Sequence, residues 1–210
     1  MRFRCTGARP QLHAAGPTIL LDLQVRGDPG QRVHSLALRT QIRIEPRRRR
    51  YTPEEADKLT DLFGEPRRWG ETLNPLQLAT VPTMVQGFTG ETTAEIEIPL
   101  TYDLDIAATK YLHGLGADTE VPLLLLFTGT VFYSPDGGRG VQVGLVPWHE
   151  EATFRLPVAV WRAAMDEHFP GATWLRVHRE TLDALQAYRS EHAIPTWDDT
   201  LHRLLKEAGS

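Results

Sequence analysis

Cysteine is almost absent from this 210-residue sequence: Cys5 stands alone, so no intramolecular disulfide framework can form, and a reducing compartment is expected. Long apolar runs are missing too. No window reaches the roughly 18 apolar residues of a membrane-spanning helix, and the opening Met1–Pro10 lacks the apolar core of a secretory signal. The expectation is a cytoplasmic protein with no membrane partner. A formal net charge of −4 supplies no overall attraction to nucleic acid or anionic lipid. Catalytic signatures are equally scarce. There is no His-Glu-x-x-His, Cys-x-x-Cys or His-x-His pairing for zinc, and no Gly-x-Ser-x-Gly elbow for a nucleophile. Gly137, Gly138 and Gly140 are followed by neither Lys-Ser/Thr nor a helical pattern, so they fit a hairpin turn better than a phosphate loop. Acyl-transfer, nucleotide-binding and zinc-hydrolase chemistry lose their usual entry points. No cofactor is expected, and a non-enzymatic role follows.

What is present is β structure. In Glu120–Tyr133 one face carries Leu123, Leu125, Phe127, Val131 and Tyr133, and the other Leu124, Leu126, Thr128, Thr130 and Phe132. Both faces are apolar through the first half, which places the strand mid-sheet, with a core on one side and a cover on the other.

Other stretches alternate more cleanly. Phe3 and Cys5 face inward in a first strand, Cys5 as a small buried hydrophobe rather than a reactive thiol. Thr18–Arg26 sets Ile19, Leu21, Leu23 and Val25 against polar residues, and Val33–Glu45 sets Leu36, Leu38, Ile42 and Ile44 against Arg39, Gln41 and Arg43. The Gly27–Gly30 turn between them suggests an antiparallel pair. Thr52-Pro53-Glu54-Glu55 is a capping box opening a helix that Gly64 ends. Leu76–Val85 is weaker, an edge strand interrupted by Pro82, and Thr92–Tyr102 is a stronger one with Pro99 on its polar face. A helix is expected over Asp103–Leu115, with Asp103 and Asp105 capping its start, and Val141–Leu145 returns along the central strand. Helices are expected from Pro157 to His168, over Arg179–His192, and from a Thr196/Asp199 cap onward.

This order predicts an α+β protein. Residues 1–155 form an antiparallel, immunoglobulin-like β-sandwich with helical insertions near 52–64 and 103–115; residues 156–210 form a helical annex packed on the sheet. Trp161, Met165, Leu182 and Leu185 are expected to cover the outer Leu124, Leu126 and Phe132.

The one strongly basic spot holds six arginines, Arg39, Arg43, Arg47, Arg48, Arg49 and Arg50. Arginine's planar fork pairs carboxylates bidentately, so the cluster is a candidate docking patch for an acidic protein partner. Tyr51 is too little aromatic support for single-stranded nucleic acid. Five of the eight histidines, His149, His168, His178, His192 and His202, follow residue 148. They give the rival reading of a metal-dependent enzyme or metallochaperone, with His149 and Glu150 as its densest pair. Glu95 and Glu97 fit a solvated strand face, and a homo-oligomer is compatible with everything above.

Several stretches carry a family resemblance: Val33–Arg39, Gln41–Pro46, Leu62–Pro66, Pro122–Phe127, Leu156–Trp161 and Thr181–Leu185. Through them the whole chain resembles an uncharacterised actinobacterial domain-of-unknown-function family. That resemblance implies genes lying beside those of nickel-iron hydrogenases, and hence an accessory or assembly role in hydrogenase maturation. It transfers no catalytic residue. A fainter similarity, in Phe169-Pro170 and Asp183–Leu185, is to SecB-type export chaperones; it implies an antiparallel sheet with helices, a chaperone-like groove and an oligomer.

Overall fold

Eight strands form two antiparallel sheets in the computed structural model of the chain, which describes residues 1–101, 103, 106–135, 140–168, 170–171 and 175–209. The smaller sheet is ordered β1 (Arg2–Pro10), β2 (Thr18–Arg26), β5 (Glu91–Pro99). In the larger, β4 (Leu76–Thr89) pairs β3 (Arg32–Ile44), and β3 pairs β6 (Glu120–Tyr133). The far edge of β6 is shared by β7 (Gln142–Leu145) and β8 (Glu151–Pro157). Short helices α1 (Pro53–Lys58), α2 (Thr60–Phe63) and α3 (Trp69–Thr72) lie between β3 and β4, and α4 (Ala107–Gly114) between β5 and β6. Helix α5 (Val158–His168) follows β8 directly, then α6 (Arg179–Glu191) and α7 (Trp197–Ala208).

The inner faces meet as the alternation dictates. Ile19, Leu21 and Leu23 of β2 join Leu36, Ile42 and Ile44 of β3 and the inner β6 residues Leu123, Leu125 and Phe127 in one core. The Phe3 and Phe127 rings stack across the sheets with centroids 4.4 Å apart. Burying each such side chain contributes about 1.5–3 kcal/mol, which makes this core the dominant stabilising term. The architecture is thus the sandwich-like α+β fold expected of the sequence.

Several expectations need correcting. β2 and β3 are not a hairpin: each belongs to a different sheet, and the Gly27–Gly30 segment arches between them. Alternation is the same for strands side by side and strands face to face, so it cannot distinguish the two. β4 and β5 also switch sheets, through Gly90 alone at φ 76°, and its carbonyl accepts the Gly27 amide at 2.8 Å. β8, with no sequence signal of its own, pairs with Glu120–Leu126. Helix α4 starts at Ala107 after Ile106 rather than at Asp103, while Asp105, Gly137 and Gly138 lie outside the described residues.

The expected cover for β6 is also different. Trp161 is buried in the core between the sheets, and α5 packs against β1, β2 and β8. It closes an end of the sandwich instead of covering Leu124 and Leu126. The reason is the helix's immediate start after β8: with Val158 and Ala164 buried beside Trp161, its apolar side turns inward. The chain divides into compact units 1–174 and 175–210, so α5 belongs with the sheets and the boundary expected at 155 moves past it. In the second unit Leu182 is exposed, and none of the described apolar side chains is buried.

Gly129 marks how tightly β6 is held. A Cβ there would lie 2.3 Å from the Ala37 carbonyl oxygen of the paired strand, where backbone cannot yield cheaply. Gly129→Ala is expected to destabilise by about 2–3 kcal/mol in urea unfolding, and Thr130→Ala by under about 1. Equal stability of the two variants would refute this β3–β6 register.

Candidate functional site

The arginine run does not act as one patch. Its members go to two different places, and the division follows from the local fold. Arg47 ties the α3 segment down, donating through Nε to the Leu73 carbonyl at 2.9 Å and through Nη2 to that of Glu71 at 3.2 Å. Arg49 is buried: its Nη2 contacts both Glu55 carboxylate oxygens at 2.8 and 2.6 Å, with side chains 7% and 6% exposed. The guanidinium also lies 4.7 Å over the Tyr51 ring. Glu55 accepts further bonds from the Thr52 amide, completing the capping box, and from the Gly116 amide at 3.1 Å. One carboxylate therefore joins α1 to the arginine turn and to the loop after α4. Beside it, Tyr51 and Tyr111 hydroxyls are 2.7 Å apart, and burial pushes both phenols up, so they stay protonated at neutral pH. Of the expected docking set this buried cluster holds Arg49 alone, whereas Arg47 is exposed and engaged with the two backbone carbonyls.

Of the remaining arginines, Arg39 and Arg43 belong to the outer face of the larger sheet, and Arg48 and Arg50 follow the end of β3. Register fixes this. Arg43 is opposite Leu124, Gln41 opposite Leu126, Arg39 opposite Thr128, and Ser35 opposite Phe132. Since Leu123, Leu125 and Phe127 point into the core, the alternate residues point out. On the other side of β6, Arg155 is opposite Pro122 and Thr153 opposite Leu124. Arg48 and Arg155 line one cleft of about 220 Å³ together with Pro122 and Phe154. Arg39 and Arg155 have no carboxylate partner among the described residues, whereas Arg48 stands 4.0 Å from Glu45. Arg50 is exposed beyond the sheet's end.

The other end of this face is apolar. Met84, Ala37, Thr130 and Leu145 form a row across four strands, with Phe132 and Val143 in the next. Met84, Val143 and Leu145 are well exposed, Leu145 at 79%. Along β6 the half-buried Leu124, Leu126 and Phe132 connect the apolar end to the basic one.

A bulge adds a further residue. The Phe127 amide donates to the Glu150 carbonyl and the Val146 amide to the Gly129 carbonyl, so Pro147, Trp148 and His149 loop out opposite Thr128 alone. Bulges at a sheet edge re-aim side chains, and here the Trp148 side chain is left 89% exposed. Sequence reasoning missed Trp148 and Arg155. The first has no periodic signal; the second needs the β6–β8 pairing to reach the face.

The histidines do not assemble. His149 Nε2 is 3.8 Å from Glu150 Oε1, and His168 contacts the Ala164 and Ala14 carbonyls through its two nitrogens. Among the described residues, no group of three or more His, Cys, Asp and Glu side chains could hold a metal ion. Cys5 is a core residue whose thiol burial pushes up to about 11. No helix among the described residues is long and apolar enough to cross a membrane.

Compared with known proteins, the chain matches, over residues 1–210, the sequence model of a family of unknown function (DUF6084). No curated protein matches it. A solved structure described as a crystal structure of a protein from Archaeoglobus fulgidus aligns over 70% of this chain and 92% of that one, with 11% identity and a TM-score of 0.26. A likeness that loose informs neither fold nor function.

Two outcomes test this division. Arg49→Ala strands a buried carboxylate and is expected to cost about 3–5 kcal/mol in urea unfolding, against about 0.5 or less for the neighbouring Arg50→Ala. Alkylation of Cys5 in the native protein at pH 8 should proceed only as fast as the fold opens. Above pH 9 stability should fall, because the unfolded thiol ionises there while the folded one holds its proton to about 11.

Proposed function

The chain belongs to this family of unknown function, and we propose that it is a non-enzymatic binding protein whose outer sheet face docks an acidic partner during assembly. The observation that carries this is the strand register, which puts Arg39, Arg43 and Arg155 on the same face as Leu124, Leu126 and Phe132. Arginine at such a surface offers bidentate pairing to carboxylates, and the apolar stripe beside it supplies area to bury. Trp148 completes the set, since tryptophan and arginine are the residue types most enriched at binding hot spots. The protein's overall charge is −4, so the basic face also selects orientation: an acidic partner is repelled elsewhere and drawn here.

The assembly served is nickel-iron hydrogenase maturation; the support for that finer step is the sequence resemblance alone. The partner is then an acidic surface of a maturing subunit or of another accessory protein.

The test uses the whole chain as bait in host extract, with bound proteins quantified by mass spectrometry. Arg39→Ser/Arg43→Ser and Trp148→Ala are expected to reduce recovery of one acidic protein by at least about tenfold. Raising salt should weaken the wild type and move the double variant much less. Recovery unchanged in both variants, with the unfolding midpoint intact, would refute the docking face.

A further inference from the structure

Two arginines flank the start of β6 from opposite sides. On one side the Glu45 amide donates to the Pro122 carbonyl at 2.9 Å, which brings the 3-10 turn Pro46–Arg48 in beside β6. On the other, the β6–β8 register sets Arg155 opposite Pro122 and Thr153 opposite Leu124. Arg48 and Arg155 meet along one cleft, whose lining also includes Thr153, Phe154 and the buried Pro122.

That lining holds two cations and no acid. Arg155 has no ion pair and no side-chain hydrogen bond among the described residues. The Arg48 ion pair, Nε to Glu45 at 4.0 Å, stands at the limit of such a contact, and its Nη atoms have no partner among the described residues. The neighbours in the same run differ: Arg47 and Arg49 have their guanidinium groups hydrogen-bonded into the fold. Like charges turned toward one cleft repel, and an anion between them replaces that repulsion with two charge-assisted pairs. Size restricts the anion. A cleft of about 220 Å³ is smaller than the roughly 300–1,000 Å³ of small-molecule sites, so it suits one planar group rather than a nucleotide or cofactor.

We propose that this cleft receives the carboxylate of one Asp or Glu side chain of a partner protein, held between the guanidinium groups of Arg48 and Arg155, with the Thr153 hydroxyl as a further donor and Phe154 as an apolar wall. The inference rests on the docking reading above for the partner, and it supplies that face with a fixed point. Arg155 and Arg39 stand opposite Pro122 and Thr128 of β6, positions about 20 Å apart along the strand, so one acidic residue cannot reach both. Arg39 is therefore an internal control.

NMR of the arginine side chains in the full chain, titrated with sodium acetate and in parallel with acetamide, tests the cleft. Arg48 and Arg155 are expected to saturate together, at an acetate concentration at least about tenfold below that for Arg39, with no response to acetamide. Arg48→Gln should return Arg155 to the behaviour of Arg39. An Arg155 that titrates like Arg39 in the wild type, or that ignores Arg48→Gln, overturns the proposal, because the two arginines then act singly. In host extract, Arg48→Gln/Arg155→Gln should lower recovery of the acidic protein by at least about tenfold at an unchanged unfolding midpoint, and phosphatase treatment of the extract should change nothing. Recovery lost to phosphatase overturns the carboxylate in favour of a phosphate. Recovery sensitive to Arg39→Ser/Arg43→Ser but not to the glutamines overturns the cleft and leaves the docking face standing. A wild type that binds acetate as expected yet recovers no acidic protein overturns the docking reading, and with it the partner as the source of the carboxylate.

Discussion

Strand β6 must satisfy both of its faces at once, and most of the molecule is arranged around that demand. Its inner residues, Leu123, Leu125 and Phe127, are fully enclosed by the opposing sheet. Its outer residues, Leu124, Leu126 and Phe132, are half-buried, with Arg43, Gln41 and Ser35 as their neighbours on β3. A strand so apolar is safe only in mid-sheet, and it has neighbours along both edges: β3 throughout one, β7 and β8 in succession on the other. Gly129 lets β3 approach more closely than any side chain would allow. Helix α5 packs against β1, β2 and β8, leaving the outer face of β6 bordered by Arg39, Arg43 and Arg155.

The four consecutive arginines show how one residue type takes opposite roles within four positions. Arg49 loses its hydration but gains two carboxylate contacts and an aromatic face, an arrangement that holds only because Glu55 is itself supported by backbone amides. Arg48, one residue earlier, stays at the rim of a cleft with Arg155. Breaking the buried pair therefore threatens the fold, whereas changing Arg39 or Arg43 alters only the surface. The two effects are separable by experiment because they are separated in space.

The sequence displayed its inner faces well. In β2, β3, β5 and β6 most inward positions hold large aliphatic or aromatic residues, with Thr40, Ala94 and Gly129 the exceptions, and the period of two shows which way the side chains point. Parity also placed Arg39 and Arg43 on the polar face of β3, half of the candidate site. Sheet membership was not legible. A five-residue link such as 27–31 can fold into a hairpin or arch across the core with the same residues, and only the competition among partners for β3 decides. Arg49 was hidden for a related reason: a run of identical residues has no period, so burial of one member depends on Glu55 being brought near it by the capping box. Trp148 depends on a bulge, which is a mismatch between two strands and cannot be seen in either alone.

The larger sheet has edges as well as a face, and they differ in what they permit. On β4, Pro82 removes one backbone donor. On the opposite edge the looped-out Pro147–His149 breaks the line between β7 and β8. Both interruptions discourage a strand from another molecule from pairing in register, the usual hazard for a sheet with exposed apolar residues such as Val143 and Leu145. For the docking role proposed above, the face rather than either edge is the surface on offer, so side chains and not backbone hydrogen bonds would supply recognition. The face carries arginines at one end and apolar residues at the other, so a partner that offered only greasy area, or only negative charge, would satisfy half of it and leave the rest hydrated.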